Sequence, residues 1–231
     1  MFARPAYFKL SDRASRVMRK YLMSKTGLNP SDIELASGFT VRNYEEARDR
    51  NPPDRETIAD AISRRFTERY ITPVSVASRH GFTMMAVSCL MIEALESFRQ
   101  GWETSDRRSK KAFRFFFDAS EPFKDFRVHA QAFYINVRCG ILHQAETTGG
   151  WRIRRDKNGP LFDSTTLTIN ADLFLSALKQ ILGGFCAALK TAAWDSPEWK
   201  KVRDKMNAIV RHCRSVPDNS RCSGARAAVF K

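Results

Sequence analysis

The sequence predicts a mainly α-helical fold, a bundle of helices with one short β-hairpin. Apolar residues recur at steps of three and four along most of the chain, which is the spacing of one face of an α-helix. Only the region from Trp151 to Ile169 alternates apolar and polar residues in the way that is typical of strands. Hydrophobic residues make up 43% of the 231 positions, which is enough to bury a substantial core.

Residues 1–75 are predicted to form an N-terminal helical extension or subdomain. The first helix covers Ser11–Met23, with Ser11 as its cap. A loop at Asn51–Pro53 follows. Asp54 then caps a second helix that reaches about Tyr70. One face of this helix carries apolar residues at four-residue steps: Ile58, Ile62 and Phe66.

Residues 76–214 are predicted to form the main helical domain, and its most apolar helix covers Phe82–Gln100. Gly101 is placed to end this helix, because glycine readily adopts the left-handed conformation that a helix C-terminus needs. Polar residues interrupt the apolar run Phe82–Leu95, which is too short to span a bilayer. We therefore expect a buried core helix and no association with a membrane.

A second important helix is predicted from Phe126 to about Glu146, and we call it the motif helix. Thr147–Gly150 ends it. The hairpin is predicted directly afterwards, from the strands Trp151–Arg155 and Ser164–Ile169 joined by a turn at Lys157–Pro160.

Two more helices complete the prediction. Asn170 is placed to cap one that continues into Leu189. Asp195 or Ser196 caps the last, which runs to about Cys213. The remaining residues, 215–231, are small and polar and are predicted to be a disordered tail.

The charge of the chain limits its partners. There are 39 Lys and Arg residues against 25 Asp and Glu, the net charge is +14, and the pI is about 9.9. Such an excess attracts polyanions, which are nucleic acid or an anionic membrane surface.

The five cysteines are scattered without a CxxC pair, which excludes a zinc ribbon or a thioredoxin motif. With no apolar segment typical of a secretory signal at the N-terminus, this pattern predicts a reducing cytoplasm.

The motif helix is apolar on two sides of a helical wheel. One stripe is predicted to face the core and contains Ala130, Phe133, Tyr134, Val137 and Ile141. A second apolar sector lies on the far side and contains Ala132, Ile135, Cys139 and Leu142. A helix of this kind is either deeply buried or packs against a partner as well.

Arg138 is followed five positions later by His143 near the end of this helix, in the run VRCGILHQAE. This spacing, after the apolar segment IEALESF, resembles the catalytic signature of the HEPN superfamily (higher eukaryotes and prokaryotes nucleotide-binding domains). The resemblance implies a HEPN-like helical bundle and a metal-independent endoribonuclease without a cofactor. Arg138 would stabilise the transition state and His143 would act in proton transfer.

The resemblance also implies how the two residues meet. They lie about 140° apart on an ideal helix, so one regular helix does not direct both at the same phosphate. Either the helix unwinds near Gly140, or two copies meet across a two-fold axis and combine their residues, as HEPN RNases do. By analogy with such RNases, a homodimer, a toxin or defence role, and an antitoxin or regulatory protein are expected.

Several residues are predicted to support this site. Asn136 lies on the same face as His143 and is placed to orient RNA or the imidazole. Glu93, and less so Glu96, are placed to bring an acidic group to the cleft. Arginines on the hairpin are predicted to bind RNA beside Trp151, because single strands bind through phosphate contacts and stacking. These cations are Arg152, Arg154, Arg155 and Lys157.

Less specific interpretations compete with this one. His143 can simply interact with its helix C-terminus, and Arg138 can be a solvated residue or an ion-pair partner of Glu93 or Glu146. The cluster Arg107–Arg114 can be an ordinary solvated surface. Cys139 stands where active HEPN members usually have a polar residue, which favours a non-catalytic module that binds RNA, a nucleotide or a protein. A structural protein with an acidic partner is the third class.

Overall fold

A computed structural model describes residues 29–75, 80–155 and 159–215. They form seven helices and two small sheets around a hydrophobic core, which confirms the predicted mainly helical fold with a short β-hairpin. Three predictions lie outside the described residues: the helix Ser11–Met23, the tail after residue 215, and the role of Lys157.

The helices follow the predicted order, and the structure adds two that were not predicted, one before the loop at Asn51–Pro53 and one that contains the run AFRFFF (112–117). We number them α1 Val41–Asp49, α2 Arg55–Phe66, α3 Gly81–Gln100, α4 Ser109–Ala119, α5 (the motif helix, 130–144), α6 Ala171–Thr191 and α7 Pro197–Arg214. The strands are β1 Glu34–Ala36, β2 Phe39–Thr40, β3 Arg152–Arg154, β4 Phe162–Asp163 and β5 Thr168–Asn170.

Local capping chemistry sets the ends of these helices, as the sequence predicts. The side chain of Asp54 accepts a hydrogen bond from the backbone N–H of Thr57 and begins α2. Ser196 caps α7 in the same way, with Pro197 as its first residue. Gly101 ends α3 with φ +68°, a backbone conformation that costs other residues energy.

Helix α3 lies at the centre of the bundle. It packs against α4, α6 and α7, while α2 packs against α6. The described part of the N-terminal segment therefore shares one core with the rest, through buried residues such as Val41, Tyr44 and Ile58. This arrangement presents one side of α3 to the motif helix.

A cluster of aromatic rings fixes the motif helix to the bundle. Phe126 stacks on Phe162 with ring centroids 4.4 Å apart and on Phe117 at 5.1 Å. Phe133, in the first turn of the motif helix, stacks on Phe174 of α6 at 5.8 Å. Seven phenylalanines of the cluster are fully buried: Phe113, Phe116, Phe117, Phe123, Phe126, Phe133 and Phe174. The AFRFFF segment is thus one side of a rigid core.

The β-hairpin is present, but the predicted strand pairing is wrong. Strand β3 pairs with β5 in parallel, and the antiparallel hairpin is formed by β4 and β5. The buried ring of Phe162 stacks on Trp151 at 5.2 Å, which holds β4 in the sheet. The carboxylate of Asp163 accepts hydrogen bonds from the backbone N–H groups of Thr165 and Thr166 and stabilises the hairpin turn. This turn lies further along the chain than the predicted turn at Lys157–Pro160.

Two helices in the described part of the chain, α3 and α6, are long and apolar enough to cross a membrane by length and composition. Within the bundle, 61% of the most apolar window of α3 and 39% of that of α6 are buried. A core helix passes the same test, so this observation is weak, and the absence of membrane association and the cytoplasmic location stay predictions.

Candidate nucleic-acid interface

The motif helix is irregular where it carries Arg138. A 3-10 segment, Glu121–His129, precedes it, so the helix begins at Ala130 and the predicted start at Phe126 is wrong. Buried Phe123 lies outside helical geometry (φ −108°, ψ 17°), which separates this segment from a regular helix. A π-helical turn covers Tyr134–Cys139 before the helix ends at Gln144. Such wide turns are rare and often occur at functional sites.

The chain turns back tightly at the end of the motif helix. Ala145 has φ +56°, and the carbonyl of Gly140 accepts hydrogen bonds from the N–H groups of Ala145 and Glu146. A Cβ atom on Gly140 would lie 2.5 Å from the carbonyl oxygen of Glu146. Close packing against the backbone therefore requires glycine at this position.

Replacing Gly140 with alanine is expected to lower the free energy of unfolding by about 2 kcal/mol, because the clashing atom belongs to the backbone and cannot rotate away. Gly183→Ala is the matched control. Gly183 is exposed within α6, and a Cβ atom added to it would have nothing within 4 Å. Alanine there should raise the free energy by about 0.5–1 kcal/mol. Urea denaturation measures both, and equal effects would contradict the packing argument.

Arg138 is held by an acidic residue of α3. Its Nε donates to Oε1 of Glu93 at 2.8 Å, and Ser109 Oγ donates to the other carboxylate oxygen at 2.7 Å. Both side chains are largely buried, at 16% and 9% exposure. Burial works to lower the pKa of Arg138, but its bond and attraction to Glu93 outweigh burial and raise the pKa. The predicted alternative of an ion pair with Glu93 is therefore present.

His143 lies apart from this ion pair. It is exposed, and its ring makes no hydrogen bond or ion pair with another described residue. The structure therefore brings Arg138 and Glu93 together but joins His143 to neither of them by a hydrogen bond. His143 is nevertheless free to meet a ligand or a second chain.

Asn136 has a local structural role. Its side chain accepts a hydrogen bond from Thr148 Oγ1 at 2.9 Å and donates to the carbonyl of Ala132 at 3.0 Å. A Cβ on Gly149 would lie 2.6 Å from its Oδ1. Asn136 thus holds the turn after the motif helix.

Glu146 is exposed and accepts a hydrogen bond from the backbone N–H of Thr147, so the alternative ion pair of Arg138 with Glu146 is not formed.

The hairpin arginines differ in their surroundings. Arg152 is exposed, whereas Arg154 and Arg155 are partly buried. Arg155 makes a two-pronged ion pair with Asp172 in the first turn of α6, at 2.6 and 2.9 Å. The guanidinium of Arg155 therefore fixes the sheet to α6. Of these three arginines, Arg152 is the exposed one.

A basic groove lies between α4 and the start of the motif helix. It has a volume of about 860 Å³ and contains a single carboxylate, Asp118, with Phe115 as its aromatic side chain. Lys111 lies over the ring of Phe115, 5.0 Å from its centroid. The cations that line the groove are Arg107, Lys110, Lys111, Arg114 and Arg127. Charge and an accessible ring together are the features of a single-stranded nucleic-acid surface.

Helix α4 contributes both to the groove and to the ion-pair site of Arg138. Ser109, which binds Glu93, is the first residue of α4, and Lys110 and Lys111 follow it. The sequence identified the cluster on α4 but not Arg127 or Val128, which come from the 3-10 segment. Arg127 donates to the carbonyl of Phe117, and this packing of the segment against α4 brings it to the groove. The signal in the sequence that could have indicated these two residues is the basic Arg127 next to the apolar Val128.

The second apolar sector of the motif helix remains partly uncovered. Ile135 is 49% exposed and Leu142 is 39% exposed, while Val128 just before the helix is 88% exposed. The core-facing stripe is confirmed by buried Phe133 and Val137. Large apolar side chains at successive turns of one surface are typical of a protein interface.

The described residues contain no group of three or more His, Cys, Asp or Glu side chains that could hold a metal ion. Comparison of the chain with protein-family models, with curated proteins and with solved structures found no match in any of the three.

Proposed function

We propose that this chain is a metal-independent endoribonuclease of the HEPN type. The observation that carries the proposal is the π-helical turn that holds Arg138 against Glu93, close to a helix, α4, whose basic residues line a groove. The groove binds the RNA backbone by charge, and Phe115 offers a surface on which a base stacks. Arg138 then lies next to the bound strand, at the end of α4.

The chemistry needs only the residues of the motif helix. The 2′-hydroxyl of RNA attacks the adjacent phosphorus, the bond to the 5′-oxygen breaks, and a 2′,3′-cyclic phosphate and a 5′-hydroxyl are formed. His143 accepts the proton of the 2′-hydroxyl while water protonates the departing 5′-oxygen, or water accepts the first proton and His143 supplies the second, since the unperturbed pKa of histidine lies near neutrality. Arg138 stabilises the charge that develops on the phosphate oxygens.

A homodimer through the motif helix is part of this proposal. Within one chain, Arg138 is bound to Glu93 while His143 is exposed without a partner among the described residues. Two motif helices that meet across a two-fold axis combine His143 of one copy with Arg138 of the other. The exposed Ile135 and Leu142 supply apolar surface for this contact.

The proposed biological setting follows by analogy with HEPN RNases. It is a toxin or defence role in the cytoplasm, with an antitoxin or regulatory protein that controls the activity.

The decisive experiment incubates purified protein with labelled single-stranded RNA in EDTA. We expect cleavage by the wild type, products with cyclic phosphate ends, and a loss of at least about 100-fold in rate for His143→Ala. His143 is exposed, so this change leaves the fold intact. His212→Ala, another exposed histidine near a helix C-terminus, is the matched control and should keep the wild-type rate. Intact RNA with the wild type, or full activity of His143→Ala, would refute the proposal.

A second candidate function is an RNA-binding module without catalysis. It is favoured by the ion pair that already neutralises Arg138, and by Cys139 directly after it. Fluorescence anisotropy would then detect salt-sensitive RNA binding while no product forms.

The same binding assay tests the groove. Lys110→Glu with Lys111→Glu should weaken RNA binding at least about 10-fold, because phosphate contacts dominate affinity. Lys179→Glu with Lys200→Glu makes the same change in net charge at exposed positions outside the groove and should have a much smaller effect. Equal effects of the two pairs would assign RNA binding to overall charge.

A further inference from the structure

A separate pocket lies on another side of α3, between α2, its π-helical continuation Thr67–Ile71, and α7. Its volume is about 440 Å³, within the range that accommodates small ligands. One wall is apolar and aromatic and is formed by Phe66, Tyr70, Leu90, Phe98 and Ile209. The lining also contains polar residues and two cations, Arg65 and Lys205.

These two cations have no carboxylate partner among the described residues. Arg65 donates to the backbone carbonyl of Leu35 at 2.6 Å, and Lys205 donates to the carbonyl of Glu103 at 2.9 Å. The carboxylates that line the pocket are engaged elsewhere: Glu93 binds Arg138 and Ser109, and Glu103 binds Arg211 at 3.2 Å. The pocket therefore holds two positive charges that a ligand can neutralise.

The pKa values of Arg65 and Lys205 are both lowered in this pocket. Burial lowers the pKa of Lys205, and the charge of Arg65 lowers it further. Burial is also the main reason that the pKa of Arg65 is lowered, with the charge of Arg69 as the next cause. An anion between Arg65 and Lys205 would attract both cations and so raise the pKa of each.

We propose that this pocket binds a phosphorylated small molecule, with its phosphate between Arg65 and Lys205 and its organic part against Tyr70 and Leu90. Two cations and the adjacent hydroxyl groups of Thr104 and Ser105 suit a phosphomonoester. An apolar wall beside them suits a planar or apolar organic group. The pocket contains no residue of the motif helix, although it shares Glu93 with the ion pair of Arg138, and the inference does not depend on RNA cleavage.

Isothermal titration of the full chain tests this inference with inorganic phosphate, adenosine monophosphate and adenosine as probes. Inorganic phosphate and the monophosphate should both bind and compete with each other, and the monophosphate should bind at least about 10-fold more tightly because it also contacts the apolar wall. Adenosine, which lacks the phosphate, should bind far more weakly than the monophosphate.

Variants distinguish the pocket from general charge. Lys205→Met keeps the length of the side chain without its charge and should weaken phosphate binding at least about 10-fold, whereas Lys205→Arg should retain it. Lys200→Met, on the same helix but outside the pocket, is the matched control. Wild-type affinity in Lys205→Met, or no binding of phosphate or the monophosphate up to about 10 mM, would overturn the inference. Circular dichroism verifies that each variant is folded.

Discussion

Arg138→Ala is expected to lower the rate of metal-independent RNA cleavage by at least about 100-fold, a loss typical of removing one donor to a developing negative charge. The Nε–H group of Arg138 donates a hydrogen bond to Glu93. The two Nη groups of Arg138 have no other ion-pair partner among the described residues. Those groups can bind two phosphate oxygens while Glu93 holds the guanidinium in position. Cleavage of labelled RNA in EDTA measures the effect.

A change in folding must be separated from a change in chemistry here. Arg138→Ala leaves the largely buried carboxylate of Glu93 with only Ser109 as a partner, which destabilises the fold. The double variant Arg138→Met with Glu93→Gln removes both charges and should restore stability but not cleavage. Arg42→Ala, which breaks an exposed ion pair with Asp32, is the control and should keep wild-type activity. Activity in the folded double variant would exclude Arg138 from catalysis.

Phe126→Ala is expected to have the largest effect on stability, a loss of about 3–5 kcal/mol in the free energy of unfolding. Phe126 is fully buried, and its ring lies within 5.8 Å of the rings of Phe117, Phe123, Phe133, Phe162 and Phe174. Alanine would leave a cavity where the 3-10 segment, the motif helix and the small sheet meet. Urea denaturation followed by circular dichroism measures the loss.

Val128→Ala is the matched control for this prediction. Val128 is two residues away in the same 3-10 segment but is 88% exposed, so its truncation should change the free energy of unfolding by less than about 0.5 kcal/mol. A loss below about 1 kcal/mol for Phe126→Ala would mean that the aromatic cluster does not hold the motif helix in place.

Local signals in the sequence predicted most of the helices correctly. The caps Asp54, Asn170 and Ser196 and the C-terminal Gly101 act through their immediate neighbours, so the ends they set could be read from the chain. The start of the motif helix could not, because buried Phe123 and Phe126 hold the preceding residues in a 3-10 segment. That preference comes from rings contributed by α4, α6 and β4, of which α6 and β4 are distant in sequence.

In the candidate site, too, some features followed from the sequence and others only from packing. The sequence singled out Arg138, His143 and the supporting acid Glu93, but it assigned RNA binding to the hairpin cations and not to the basic cluster on α4. The pairing of Arg155 with Asp172 depends on packing between β3 and α6. The pocket with Arg65 and Lys205 joins helices about 140 positions apart in the chain, and no local pattern indicates that they share it.

The sequence by itself determined the mainly helical class, the ends of most helices, the strongly basic charge and the core-facing stripe of the motif helix. These properties follow from the chemistry of single residues and from periodicity, which act over a few positions. Only the tertiary structure decided the parallel pairing of β3 with β5, the ion pair of Arg138 with Glu93, and the groove that α4 shares with Arg127. Each of these contacts joins segments whose meeting depends on how the whole core packs.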